Sequence, residues 1–332
     1  MSPSRWPAFA LAQLARVVAV VLAVAIGCWL LAEAAPGDAT ERAARAGGVM
    51  PPDDAPIPDQ LRRSLMHEIA REHGTDRGMS ARLGSYLAGL ARLELGRSWH
   101  DRGAVSARLG PPARRTLGLV LGALLVSLLV GVGAAYASAR APGARTDWLL
   151  GGLAAIAVAV PPVWLALILL RVFAAGEPWS VAPIGGTGSI GALVLPLFTL
   201  ALVPAFVIAR HVRAALVTAR VQPYVVAARA RGASEARALV RHALRCEAGA
   251  LLPLVTALTA YLLGAAVVIE EVFGIDGLGR VLAAAAGHGD APVVVGVCVV
   301  MALVVAVTAS AVDTARRVID PRPRARGGGD AS

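Results

Sequence analysis

The chain has 332 residues, of which 57% are hydrophobic, and its mean hydropathy of +0.65 is well above that of soluble domains. Its formal net charge of +10 comes from arginine alone, because the sequence contains no lysine. A phosphate-binding P-loop requires a lysine, so the chain cannot hydrolyse ATP by that chemistry. We therefore predict a membrane protein that is not itself an enzyme.

The cysteines and histidines indicate neither a metal nor a cofactor. Cys28, Cys246 and Cys298 lie far apart and form no CxxC pair, so no zinc site or disulfide framework is predicted. His67 and Glu68 lack the second histidine of a zinc-protease motif. The arginines instead flank apolar runs, where they contact anionic headgroups, so we expect membrane lipid and no nucleic acid as a partner.

The first apolar segment covers residues 8–34 and is interrupted by Arg16. We predict an N-terminal transmembrane helix within residues 1–34, with the Arg16 side chain extending to the headgroups. A cleaved signal peptide is the alternative, because the apolar stretch ends in the small-residue pattern Ala32-Glu33-Ala34.

Residues 35–114 form a highly charged segment that the number of spans places outside the cytoplasm. Asp59 is predicted to cap a helix that ends near Gly74, and a second helix is predicted to begin at Ser80 and end before Gly96. Apolar residues recur at helical spacing along both helices, at Leu61, Leu65, Ile69, Leu83, Leu87 and Leu90. The segment is either an outer mouth and docking surface or a folded lid without a partner.

Five uncharged apolar runs follow, each long enough to cross about 30 Å of hydrocarbon. They cover residues 116–139, 148–170, 190–209, 248–269 and 291–312. The absence of charge inside them disfavours a proton-driven carrier, which keeps ionisable groups in mid-span. Prolines within the runs predict kinks, at Pro161, Pro162, Pro196 and Pro204.

The distribution of arginine assigns the two sides of the membrane. The connections after the second and fourth spans and the tail, residues 316–332, are rich in arginine, whereas residues 174–189 contain Glu177 as their only charge. We therefore predict six spans with both termini in the cytoplasm.

The connection 210–247 contains the signals of a defined corner between two helices. Pro223 suits the first position of a short helix, and Gly232 suits the left-handed residue that ends it. Ser234 then caps a second helix, with Glu235 at its positive end. That helix has an apolar strip, Leu239, Val240, Ala243 and Leu244, and an arginine face, Arg237, Arg241 and Arg245. Such a corner favours docking of a protein partner, because charge placement alone does not require this shape.

This connection resembles the EAA loop of bacterial ABC-importer permeases. The similar residues are Tyr224-Val225-Val226-Ala227-Ala228-Arg229-Ala230-Arg231-Gly232-Ala233-Ser234-Glu235, then Arg241-His242-Ala243-Leu244-Arg245 and Leu251-Leu252-Pro253. The similarity is greatest to the first permease of the dipeptide, oligopeptide and nickel importer family, and extends through Ala35-Pro36-Gly37-Asp38, Leu95-Gly96-Arg97-Ser98, Pro161-Pro162-Val163-Trp164, Glu270-Glu271-Val272-Phe273, Gly277-Leu278-Gly279 and Asp320-Pro321-Arg322. Two departures stand out. Val226 replaces a glutamate of the broader pattern, and residues 246–250 add about three residues, nearly one helical turn.

The resemblance implies an all-α type I ABC-importer permease of the MetI-like fold in the bacterial cytoplasmic membrane, with its transmembrane domain over residues 115–315. It implies four kinds of contact: with a second homologous permease, with two cytoplasmic ATPases, with an extracytoplasmic solute-binding protein, and with lipid. Contact with the ATPase is implied for Ala227, Ala228, Arg231, Gly232, Ala233, Ser234, Glu235 and Arg241. The implied solute is a peptide, or nickel or a related solute. The alternatives are a passive channel and a scaffold that only recruits partners.

Overall fold

The computed structural model describes residues 6–49, 58–140, 143, 145–173, 190–234 and 244–319, without the side chains of 146, 190 and 244–250. Over these residues the secondary structure is helical, apart from one isolated β-bridge between Arg97 and Ala104. The predicted all-α fold is therefore confirmed. The helices are α1 (Trp6–Glu33), α2 (Ala39–Ala46), α3 (Asp59–His73), α4 (Met79–Ala91), α5 (Val105–Ala139), α6 (Arg145–Ala159), α7 (Pro162–Phe173), α8 (Ile190–Ala219), α9 (Pro223–Ala230), α10 (Leu244–Phe273), α11 (Leu278–His288) and α12 (Ala291–Ile319).

Five of these helices, α1, α5, α8, α10 and α12, are long and apolar enough to cross a membrane. The apolar run 148–170 forms instead the pair α6 and α7, which are bent by 97° relative to each other. Pro161 and Pro162 lie at the break, where proline removes a backbone donor and disfavours a helical residue before it. The kink predicted there is confirmed, and the described residues contain six candidate spans if the bent pair counts as one.

Helices α5 and α8 pack side by side and run in the same direction. Ser127 of α5 donates to the carbonyl oxygen of Ala201 at 3.0 Å, and farther along both helices Arg213 donates to Ser138 at 3.3 Å. Small buried residues recur every four positions on α5, at Ala123, Ser127, Gly131, Ala135 and Ala139. Such residues let two helix backbones approach closely, which fixes the separation of this pair.

Contacts between helix ends define two ends of the bundle. At the first end, Arg220 after α8 donates to the carbonyl oxygen of Arg140 after α5 at 2.9 Å. At the second end, Thr116 near the start of α5 donates to Glu270 near the end of α10 at 2.6 Å. The segment 220–234, between α8 and α10, therefore lies at the first end and is here called the elbow.

Both terminal helices also reach the first end. Helix α12 follows α11 at the second end and, at about 1.5 Å per residue, is roughly 44 Å long, enough to return to the first end. Near its C-terminus Asp313 forms an ion pair with Arg16, close to the start of α1. The start of α1, the end of α12 and the elbow thus share one side of the bundle.

Helices α2, α3 and α4 follow α1 and precede α5 along the chain, within the segment 35–114. Helix α3 ends as predicted at Gly74, whose φ of +65° is left-handed. The predicted cap at Asp59 is wrong, because Pro58 occupies the N-cap position and Asp59 is the first helical residue. Helix α4 begins at Met79, directly before the predicted Ser80. Helix α2 was not predicted, since its eight residues are too few for a periodic pattern.

Three side-chain contacts hold this segment against the bundle. Arg82 of α4 forms an ion pair with Glu33 at the end of α1. Asp290, just before α12, accepts hydrogen bonds from the Ser98 hydroxyl and, at 3.1 Å, from the Trp99 N–H. Asp290 is 1% exposed, so this acidic residue next to an apolar run is an internal anchor.

Candidate coupling site

The elbow begins where α8 ends, later than the sequence indicates. The predicted connection starts at residue 210, but α8 continues to Ala219, because neither proline nor glycine occurs between residue 210 and Pro223. A short turn follows, closed by a hydrogen bond from the Gln222 N–H to the Ala219 carbonyl at 3.0 Å. Helix α9 then starts at Pro223 as predicted, since proline lacks the N–H that a first helical residue cannot use.

The end of α9 is a complete Schellman motif. Gly232 has a φ of +87°, which confirms the predicted left-handed residue. Its N–H donates to the Arg229 carbonyl at 2.9 Å, and the Ala233 N–H donates to the Ala228 carbonyl at 3.1 Å. These two bonds fix the direction in which the chain leaves the helix.

One face of α9 is buried in the main core of the bundle. Val225 is 1% exposed and Ala228 is 3% exposed, and both belong to the core cluster formed by α5, α8 and α10. The opposite face is apolar and open, with Val226 52% exposed, and Val221 in the turn before α9 is 78% exposed. The elbow is therefore attached firmly to the spans on one side while presenting an apolar surface on the other.

The residues predicted to contact an ATPase divide into three groups. Ala227, Arg231, Gly232 and Ser234 are exposed, and Ala233 is half-buried. Ala228 is buried, so it supports the elbow from within the core. Glu235 and Arg241 lie outside the described residues, as does most of the second predicted helix. Leu244 of its apolar strip and Arg245 of its arginine face are the first residues of α10.

Two arginines tie the elbow end of α8 to the corner between α5 and α6. Arg213 forms an ion pair with Asp147 of α6, and Asp147 also accepts a hydrogen bond from Ser138 at 2.7 Å. Arg220 donates to the carbonyl of Arg140, as described above. These side chains, interpreted from the sequence as charges next to a membrane, hold three helix ends together.

The apparent insertion before Leu251 is absorbed by α10. Residues 246–250 belong to the continuous helix that starts at Leu244, before the predicted start at residue 248. Because about three residues make nearly one turn, an addition of this length inside a helix leaves the direction of its apolar face nearly unchanged.

At the second end, Glu270 is a fully buried carboxylate that joins three helices. Thr116 of α5 donates to one oxygen at 2.6 Å, and the Gly279 N–H at the start of α11 donates to the other at 2.7 Å. The Thr116 hydroxyl in turn accepts the Leu278 N–H at 2.8 Å. A Cβ on Gly277 would stand 2.2 Å from the Glu270 carboxyl carbon, so this turn requires glycine.

The sequence matches over residues 127–325 a family described as binding-protein-dependent transport system inner membrane component. It is 30% identical over 325 residues to a putative peptide transport system permease protein of Brucella abortus, covering 96% of this chain and 99% of that protein. The chain belongs to this family. The permease is also 25% identical over 319 residues to the oligopeptide transport system permease protein AppB of Bacillus subtilis, covering 92% and 95% of the two chains. It is 31% identical over 220 residues to the dipeptide transport system permease protein DppB of Lactococcus lactis, covering 66% and 69%.

This membership confirms the family resemblance and the function class. The permease is a multi-pass inner-membrane subunit of an ABC importer and not an enzyme. Its partners include an ATPase and a substrate-binding protein. The relatives give no support to a passive channel or a non-transporting scaffold.

The long-range polar contacts of the permease could not be predicted from its sequence. Glu270 and Asp147 flank apolar runs, and the usual interpretation of such charges is a membrane boundary. Their partners, Thr116 and Arg213, lie 154 and 66 residues away. Gly277 and Gly279 are the one local sequence feature that indicates the contact with Glu270, because glycine suits a close approach of backbone to another group.

Proposed function

We propose that the permease moves short peptides into the cell and that its elbow couples this movement to ATP hydrolysis by a separate subunit. The observation that carries the proposal is the construction of the elbow, with a capped helix buried on one face and an open apolar face on the other. Peptide as the solute rests on the names of the relatives from Brucella, Bacillus and Lactococcus.

The elbow is suited to transmit force because it shares a core with the spans. Val225 and Ala228 of α9 belong to the same buried cluster as Leu216 of α8 and Leu262 of α10. A displacement of α9 by a closing ATPase therefore tilts these helices together instead of bending a loop. Such rigid-body motion alternates access between the two sides of the membrane.

The proposed orientation puts the elbow end in the cytoplasm, where ATP is available. Arginine is abundant toward this end of the helices and in the turns after them, at Arg140, Arg145, Arg210, Arg213 and Arg220, in agreement with the excess of positive charge on the cytoplasmic side. The start of α1 and the end of α12 share this end, so both termini, including the tail 316–332, are cytoplasmic. The segment 35–114 then faces outward.

In the proposed assembly the permease pairs with a second homologous permease, and each of the two binds one ATPase. Helix α5 supports this pairing, because Leu121, Leu125 and Leu129 are largely exposed at a spacing of four residues. The segment 35–114 is proposed to receive the solute-binding protein, and the helix within residues 1–34 is retained in the mature protein. The transmembrane domain proper covers residues 115–315.

Reconstitution tests the proposal. The permease, its partner permease, the ATPases and the binding protein are incorporated into vesicles with ATP on the elbow side, and uptake of a labelled tripeptide is compared with uptake of nickel. We expect tripeptide uptake that requires both ATP and the binding protein. Solute movement without ATP would contradict the coupling, and ATP-dependent uptake of nickel alone would contradict the assignment of peptide.

A further inference from the structure

A cavity of about 670 Å³ lies at the second end of the bundle, between the end of α1, helices α3 and α4, the loop 95–102 and the start of α12. This volume is within the range of small-molecule sites, about 300–1,000 Å³. The elbow lies at the other end of the bundle, and the contacts that anchor the segment 35–114 pair only some of the charged groups in the cavity walls.

The walls of the cavity carry a large surplus of positive charge. Six arginines and two glutamates line it, a surplus of four: Arg42, Arg71, Arg77, Arg82, Arg97 and Arg102 against Glu33 and Glu72. The glutamates are already paired, Glu33 with Arg82 and Glu72 with Arg102. Burial lowers the pKa of His73, which also lines the cavity, so its ring adds no further charge at neutral pH.

Several donors in these walls have no acceptor among the residues that the structure describes. Within the described part of the chain, no acidic side chain pairs with Arg71, Arg77 or Arg97. The Nε atoms of Arg42 and Arg82 and the Tyr86 hydroxyl are buried without a hydrogen-bond partner among the described residues. Buried polar groups without a partner destabilise a protein, and an anionic group supplies the missing acceptors.

The same cavity has an apolar side. Trp29, Leu95, Pro292 and Val295 line it, and Val295 packs with Ala25 of α1 in a buried cluster between α1 and α12. Burial raises the pKa of Tyr86 to about 12, so its hydroxyl remains a neutral donor. The cavity therefore suits a ligand that has an anionic head and an apolar body.

The position of the cavity identifies the source of such a ligand. It opens where the apolar helices α1 and α12 reach their ends, at the level of the lipid headgroups. Helix α1 has only Gln13 and Ala25 buried within the described part of the subunit, so lipid reaches this edge of the bundle. We propose that the cavity binds the phosphate of an anionic phospholipid, with arginines around the headgroup and the acyl chains along α1.

A pair of matched variants tests this site in the assembled importer. The cavity variant combines Arg71→Gln, Arg77→Gln and Arg97→Gln, which are exposed at the mouth. The control combines Arg62→Gln, Arg63→Gln and Arg92→Gln, which are exposed on the same segment but do not line the cavity. The cavity variant and the control each remove the positive charge of three arginines. Native mass spectrometry of the importer, with this subunit released in the gas phase, measures retained phosphatidylglycerol against phosphatidylcholine.

We expect the cavity variant to bind phosphatidylglycerol at least about tenfold more weakly, because each arginine near an anionic surface contributes about fivefold. The control should stay within about twofold of the wild type, since isolated surface charges contribute little. Equal losses in both variants, or no loss in either, would overturn the proposal. Displacement of the lipid by an equal concentration of inorganic phosphate would assign the cavity to small free anions and overturn the lipid assignment. The measurement uses neither ATP nor peptide, so its outcome is independent of the coupling function.

Discussion

Substitution of Gly232 by tryptophan is the sharpest perturbation of the elbow. The backbone at Gly232 has a φ of +87°, which disfavours residues with a Cβ, and no described atom lies within 4 Å of the place where that Cβ would stand. Within the permease, a larger residue therefore meets only backbone strain of roughly 1–2 kcal/mol. This is small beside a typical folding free energy of about 5–15 kcal/mol, so the variant should reach the membrane.

The same indole projects from the surface proposed to contact the ATPase. Overpacking a close-fitting contact costs about 1–3 kcal/mol, which corresponds to roughly 5- to 150-fold weaker docking. We expect Gly232→Trp to lower ATP-dependent uptake in vesicles by at least about tenfold at an unchanged amount of membrane permease. Co-purification of the ATPase should fall in parallel.

Two further variants separate docking from other effects. Gly232→Ala introduces the same backbone strain without bulk and should keep most of the uptake. Gly143→Trp adds the same bulk at another open glycine of the elbow end, with a φ of +80°, and should also keep it. Wild-type uptake by Gly232→Trp, or equal losses in all three variants, would refute the docking argument.

Three other predictions concern the packing of the spans. A Cβ at position 131 would lie 2.6 Å from a carbonyl oxygen of α8, so Gly131→Leu should lower the free energy of unfolding of the importer by about 1–3 kcal/mol, measured by thermal unfolding. Gly133→Leu, with open space around it, should be neutral, and equal effects of the two variants would contradict the close packing of α5 and α8. Glu270→Gln leaves one buried donor unpaired and should lower the free energy of unfolding by about 1–3 kcal/mol in the same measurement. The control Glu271→Gln, at the exposed neighbouring glutamate, should have no effect. A neutral result for Glu270→Gln would show that this carboxylate does not join the three helices. Cys28 of α1 packs against the buried cluster that contains Val295 and Val299 of α12, the helix that carries Cys298, so mild oxidation should link the two cysteines. Mass spectrometry of the digested chain should find the paired peptides, and a chain cleaved after the first span would give none.

Local features of the site were predictable because they depend on neighbouring residues. A proline that begins α9 and a glycine that ends it define the corner without any distant contact, and both are found where the sequence indicates. The kink at Pro161 and Pro162 is local in the same sense, although its angle of 97° depends on how α6 and α7 pack against other helices.

The remaining features depend on distant partners. The burial of Glu270 requires Thr116 on another helix, and the ion pair of Arg213 requires Asp147. Hydropathy treats such charges only as span boundaries, because it considers each run alone. The small residues on α5 likewise indicate a close helix contact only once α8 is known to lie against them.

Photo-crosslinking from the elbow tests the coupling claim most directly. A photoreactive amino acid replaces Val226, which is 52% exposed on the open face of α9, and a control replaces Leu93, which is 85% exposed in the segment 35–114. In the assembled importer, the Val226 probe should capture the ATPase subunit in a yield that changes when ATP is added, and the Leu93 probe should not capture it. Capture of the ATPase from position 93 and not from position 226 would contradict both the orientation of the permease and the role of its elbow.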